Sequence, residues 1–194
     1  MLDFQITEFW NWFAKNSNGF DPSNFDKGLM KELDHKIVNW ELSWEIGPGF
    51  TKEYSLTLSP NGNINLLAQT NNIIDQAPML DAWEFYSSKQ PKQNWQRAKL
   101  IDKGLEFEAT DWTYILLQYP DDKVEILVKA DNLKSLDKNS KEIAVDLILT
   151  NLLGEQIKMT QLDFIDIVND FENENEITEI QFLPKHLKEI KKGS

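Results

Sequence analysis

Two short apolar runs, Thr113 to Tyr119 and Lys123 to Ala130, are separated only by Pro120-Asp-Asp122. Short apolar runs on either side of a Pro-Asp-Asp turn are a strong signal of an antiparallel hairpin. Further strand-like stretches surround it. Leu105 to Ala109 sets Leu105 and Phe107 against Glu106 and Glu108, and Ala82 to Ser87 reads as another strand. Leu42 to Ile46 and Glu53 to Leu58 lie on either side of Gly47-Pro48-Gly49, a breaker that suits the turn of a second hairpin.

The remaining periodicity is helical. Ile6, Phe9, Trp10 and Phe13 fall on one face of an amphipathic helix, ended by the loop Asn16 to Pro22. Leu29, Leu33, Ile37 and Trp40 make the stripe of a second helix. Leu66, Leu67, Thr70, Ile73, Ile74 and Ala77 make a third, started by the turn Ser59-Pro-Asn-Gly-Asn63 and ended by Pro78. Lys141 to Leu153 is apolar on most of its surface, which marks a well-buried helix closed by Gly154. Leu162 to Val168 fits strand or helix, Asp170 to Glu176 is a charged loop, and Pro184 to Lys192 suits a terminal helix. Adjacent strands and hairpins among helices define an α+β class. The expected architecture is one domain over residues 1–192, mainly antiparallel sheet with helices on one face, and a split near Gly104 is the alternative. Gly193-Ser194 has the composition of a cloning scar.

Composition excludes several chemistries. The 194 residues contain no cysteine and two histidines, so disulfides, thiol nucleophiles, cysteine zinc sites and multi-histidine metal sites are ruled out. There are 32 acidic residues against 20 basic ones, a net charge of −12, and Arg97 is the sole arginine. Nucleic-acid affinity comes first from neutralising phosphates, with arginine the preferred reader of base edges, so no nucleic-acid partner is expected. The N-terminal segment carries Asp3 and Glu8 and lacks a basic region and a long apolar run, unlike a secretion signal, and no stretch approaches a membrane span. A cytoplasmic location, no membrane and no cofactor are the expectations.

Trp44-Glu-Ile-Gly-Pro-Gly49, Leu56-Thr-Leu-Ser-Pro-Asn-Gly-Asn63, Ile73-Ile-Asp-Gln-Ala-Pro78 and Trp83-Glu-Phe85 together resemble a group of uncharacterised bacterial proteins with the same succession, and Leu152-Leu-Gly-Glu155 is similar to an element late in that group. The resemblance covers roughly residues 40–90 and a patch near 150. It implies a soluble bacterial α+β domain and transfers no catalytic residue.

The candidate chemistry is sparse. His35 sits off the apolar stripe of its helix and His186 lies in a lysine-rich tail, so neither has the setting of a catalytic base. Ser59 to Asn63 joins a strand to a helix but has one glycine and no following Lys-Ser/Thr, so it reads as a turn rather than a phosphate cradle. Glu106 and Glu108 read as the solvent side of a strand, Asp121 and Asp122 as turn residues. Asp170-Phe-Glu-Asn-Glu-Asn-Glu176 places acids like a calcium loop but has Asn175 where the loop needs glycine and Gln181 where it needs a bidentate glutamate. No metal site is expected.

What stands out is electrostatic. Between Lys158 and Lys185 lie Asp163, Asp166, Asp170, Glu172, Glu174, Glu176 and Glu179 with no basic residue among them. Such a stretch can steer a basic protein, its carboxylates standing where nucleic-acid phosphates would. Trp12, off the apolar face of the first helix, and Trp95, in a polar loop, are the expected anchors. This reading makes the chain a non-enzymatic interaction protein that binds a basic partner, in its sharpest form an immunity or antitoxin inhibitor of a toxin. The alternative is a small-molecule-binding or hydrolytic domain with a pocket at Trp44, Glu45, Gly47 and Gly49, where an indole beside Glu45 could raise its pKa.

Overall fold

The structure is a computed structural model that describes residues 3–21, 26–121, 123–173 and 176–192. Gly193-Ser194 therefore lies outside the described residues, as do Pro22, Asp122 and Glu174. The class is α+β, and most strand pairs are antiparallel. The chain gathers into two compact units that meet between residues 89 and 90, each with its own apolar cluster. Gly104, with φ of 60°, is the turn of a hairpin inside the second unit.

The first unit runs α1 (Asp3–Asn16), α2 (Lys27–Val38), β1 (Ser43–Pro48), β2 (Tyr54–Ser59), α3 (Ile64–Asp75) and β3 (Trp83–Tyr86). The stripe of α1 is fully used: Ile6, Phe9, Trp10 and Phe13 are all buried. Asp26 caps α2, its carboxylate accepting from the amides of Gly28 and Leu29, and Asn63 caps α3 through the amide of Asn65. Asn61 and Gly62 both adopt positive φ in the turn before α3. β1 and β2 pair antiparallel, and β3 pairs parallel with β2. A parallel partner needs a crossover, and α3 supplies it. The core is aromatic. Phe13 stacks on Phe20 at 5.2 Å and meets Trp83 edge-on at 5.0 Å, while Trp10 meets Phe85 at 4.7 Å. The buried indole N–H of Trp10 donates to the Ile73 carbonyl at 2.7 Å, tying α1 to the last turn of α3.

The second unit holds the hairpin β4 (Arg97–Leu100) and β5 (Leu105–Glu108), then β6 (Thr113–Gln118), β7 (Val124–Lys129), α4 (Lys138–Leu153), α5 (Glu155–Gln161), β8 (Phe164–Ile167), β9 (Thr178–Glu179) and α6 (Leu183–Lys192). The four-stranded sheet has the order β8-β7-β6-β9. β6 and β7 form the expected hairpin, with Val124, Ile126 and Val128 turned to the core. β8 lies parallel to β7, so α4 and α5 make a second crossover. β8 is a strand because Ile165 and Ile167 share the core face while Phe164 and Asp166 share the other. From Ala144 to Leu153 α4 is buried nearly all round, yet Ile143 is half exposed. Gly154, at φ of 80°, closes α4 and lets the chain restart at once as α5, a helix absent from the sequence expectations. The phenol of buried Tyr114 lies 2.7 Å from Nδ1 of His186, which gives that histidine a structural place on α6.

Candidate functional site

The acidic segment leaves the sheet along β8 and returns through β9. Asp163, Asp166, Asp170, Glu172, Glu176 and Glu179 are all exposed, and Glu174 lies outside the described residues. Three of the six also hold local structure. The Asp163 carboxylate accepts the Val124 amide at 2.9 Å and so fixes the start of β7. Asp170 pairs with the Lys129 ammonium at 2.6 Å, and that contact lowers its pKa. Glu179, opposite Thr113 in β9, accepts from the Gln181 side chain at 2.5 Å. Large apolar side chains stand exposed among these acids: Phe164 at 49%, Ile177 at 38% and Phe182 at 46%. Phe164 and Asp166 stand on β8 and Ile177 and Glu179 at β9, the two edges of the four-stranded sheet, and at each edge acids beside exposed apolar groups can attract a cationic partner and bury apolar area against it.

The two tryptophans expected as anchors are tied into their own units. Trp12 is half-buried, packs on Phe9 and Phe20, and carries the Lys36 ammonium over its ring at 4.9 Å. Trp95 is half-buried against the apolar cluster of the second unit. The exposed aromatic groups in this segment are Phe164 and Phe182, neither of which sequence reasoning singled out, since exposure depends on tertiary neighbours.

The Gly-Pro-Gly loop is built around a different carboxylate from the one expected. Trp44 is half-buried and donates through its indole N–H to Asp34 of α2 at 3.1 Å, while Glu45 beside it is exposed. The loop after β1 closes on Glu84 of β3. That carboxylate accepts from the amides of Phe50 (3.1 Å), Thr51 and Lys52, from the Thr51 hydroxyl (2.8 Å) and from the Tyr86 phenol. These donors, led by Tyr86, hold Glu84 down at a pKa of about 2. Gly49 is required by the same closure, since a Cβ there would lie 2.6 Å from the Lys52 carbonyl and 3.0 Å from Glu84. Gly47 has open space around it. The amides that could have met a ligand's anion therefore meet the chain's own. The signal in the sequence was Glu84 and Tyr86 two apart in a strand, which puts both on one face.

A cavity of about 450 Å³ in the first unit is lined by Ser17, Asn18, Asp21, Glu53, Tyr54 and Asp81, among others. The Tyr54 phenol donates to Glu53 at 2.8 Å, and that bond, with burial and the charge of Asp21, pushes its pKa up to about 12. Three carboxylates on one rim repel anions and favour cations. Among the described residues no cluster of three or more histidine, aspartate or glutamate side chains is placed to hold a metal ion, and no helix is long and apolar enough to cross a membrane. The fold is α+β, and its segment from Asp163 to Phe182 carries exposed acids and exposed apolar side chains. No family model matches the chain, and no curated protein or solved structure matches it.

Proposed function

We propose that this chain is a non-enzymatic interaction protein whose acidic segment docks a basic protein, in its sharpest form an immunity- or antitoxin-type inhibitor. The observation that carries the reading is the interleaving of exposed Asp166, Glu172 and Glu176 with exposed Phe164 and Ile177 on one stretch of a chain of net charge −12. The acids accelerate encounter, and the apolar groups hold the complex. A bacterial source and a cytoplasmic location belong to the same proposal, supported by the absence of cysteine and by the resemblance of residues 40–90. A small-molecule pocket at Trp44, Glu45, Gly47 and Gly49 draws no comparable support, because Glu45 is exposed and the loop amides are engaged by Glu84.

The test is affinity capture from the source lysate at low and high salt, with an Asp166/Glu172/Glu176→Asn/Gln/Gln variant in parallel. The expected result is a basic protein retained by the wild type at low salt and lost both from the variant and at high salt. Equal capture by both proteins, or no specific partner, would count against the proposal.

A further inference from the structure

β8 ends its sheet, and no described strand pairs with its other side. Protected edges usually carry lysine, proline or a bulge, whereas β8 reads Phe164-Ile-Asp-Ile167 and offers only Asp166 as a guard. Ile167 is in register with Val128, and the Val168 amide donates to the Val128 carbonyl at 2.9 Å. Alternate residues of a parallel ladder bond the same neighbour, so Phe164, Asp166 and Val168 turn their main chain to β7. Ile165 and Ile167 then turn theirs to the open edge.

Beside this edge runs a stripe of α4 at helical spacing: Asn139, Glu142, Ile143 and Asp146. With Ile165 and Ile167 it lines a cleft of about 370 Å³, and Ile143 is 50% exposed there. An adjoining cleft of about 420 Å³ brings Lys138 and Lys141 to Val168 and Asn169. The edge therefore has a polarity. Lys141 stands where β8 ends, beside Lys138 paired with Glu142 at 3.7 Å, and Asp163 stands where it begins; Asp146, at the far end of the helical stripe, is already engaged by the ammonium of Lys158.

We propose that a second copy of this chain occupies the edge. Its β8 pairs antiparallel with the first about a two-fold axis through Ile165, making one continuous sheet with the two α4 helices side by side on one face. Antiparallel pairing reverses the polarity, so the lysine end of each copy meets the aspartate end of the other. Ile143 then meets its mate close to the axis, and Phe164 comes beside Asp166 of the second copy. An axis through Asp166 would set two carboxylates directly opposite each other, which is unfavourable and selects the register at Ile165. Main-chain bonds and apolar burial hold this dimer, so it survives the high salt at which capture of a basic partner fails. The pairing does not rest on the docking proposal, although Phe164 and Asp166 belong to both surfaces.

Sedimentation of the full chain from about 1 to about 100 µM tests it, because a dimer of modest affinity dissociates on dilution across that range. The expected mass is twice the 22.6 kDa of one chain at the upper end, falling towards one chain on dilution. Ile143→Lys, at a half-exposed position, is expected to raise the dissociation constant at least ~10-fold. In the wild type, hydrogen exchange at the Ile165 and Ile167 amides slows as concentration rises. A single-chain mass at every concentration overturns the proposal. So does a dimer that Ile143→Lys leaves intact and in which those two amides exchange at a rate independent of concentration.

Discussion

The Tyr86 phenol donates to the Glu84 carboxylate from two residues along the same strand, and the loop after β1 completes the shell of that carboxylate through Phe50, Thr51 and Lys52. Glu84 must be ionised to accept all of these bonds. Its folded pKa of about 2 lies below the ordinary 4.5, so its contribution to stability is full above pH 4.5 and is lost as pH falls towards 2. Glu84→Gln is therefore expected to lower stability at pH 7 and to flatten the fall in urea midpoint between pH 4.5 and pH 2. An unchanged acid limb would remove Glu84 as the hub of this loop.

The two glycines of Gly47-Pro48-Gly49 should behave differently. A methyl group at Gly49 meets main-chain oxygens of Lys52 and Tyr54 at 2.6 and 3.0 Å, whereas one at Gly47 meets nothing within 4 Å. Gly49→Ala is expected to cost about 1–3 kcal/mol, the usual penalty of overpacking. Gly47→Ala is expected to stay within about 0.5 kcal/mol of the wild type, as at an open surface position. Chemical denaturation of the two variants checks the contrast.

All four tyrosines have raised pKa values. Tyr54 is held up by its bond to Glu53, Tyr86 by burial and then Glu84, Tyr114 by burial, and Tyr119 by its bond to Glu125. Tyr54 and Tyr86 reach about 12. Phenolate absorbance of the native protein should stay low through pH 10, the ordinary value, and appear only above it. The stability these phenols contribute is complete below pH 10 and is lost as pH rises towards 12. A native tyrosine titrating at its ordinary value would contradict the hydrogen bonds assigned to it.

Trp10 offers a test of the aromatic core. Its indole N–H is the donor to the Ile73 carbonyl, and both residues are buried. Trp10→Phe keeps a ring in place and leaves that carbonyl with the Gln76 amide alone at 3.3 Å, so the lost hydrogen bond is expected to cost about 0.5–1.5 kcal/mol beyond any packing loss. A fall in thermal midpoint confined to signals from the first unit would support the assignment.

What the sequence could reveal follows from periodicity. The stripe Ile6, Phe9, Trp10, Phe13 and the hairpin around Pro120 are strong local patterns, and both appear as read. β4 was hidden because Arg97 to Leu100 alternates charge with small or apolar residues too briefly to stand out, and its ladder depends on cross-strand pairs such as Lys99 with Glu106 at 3.1 Å. α5 was hidden by Gly154, which marks a helix end by the same positive φ that here joins two helices. The acidic stretch was plain in the sequence because charge is counted residue by residue. The roles of Glu84 and of exposed Phe164 depend on tertiary neighbours and had no local pattern. The sequence reads as one domain over 1–192, while the apolar clusters around Phe13 and around Ile126 share no residue. Two separate unfolding steps are expected in calorimetry on that ground, and a single two-state transition would favour one cooperative domain.

The measurement closest to the central claim is the association rate of the captured basic partner as a function of ionic strength, for the wild type and for the Asp166/Glu172/Glu176 variant. Steering by the acidic segment predicts a wild-type rate that falls steeply with salt and a variant rate that is slower and nearly flat, with similar dissociation rates. Parallel salt dependence in the two proteins, or an effect confined to dissociation, would contradict the account.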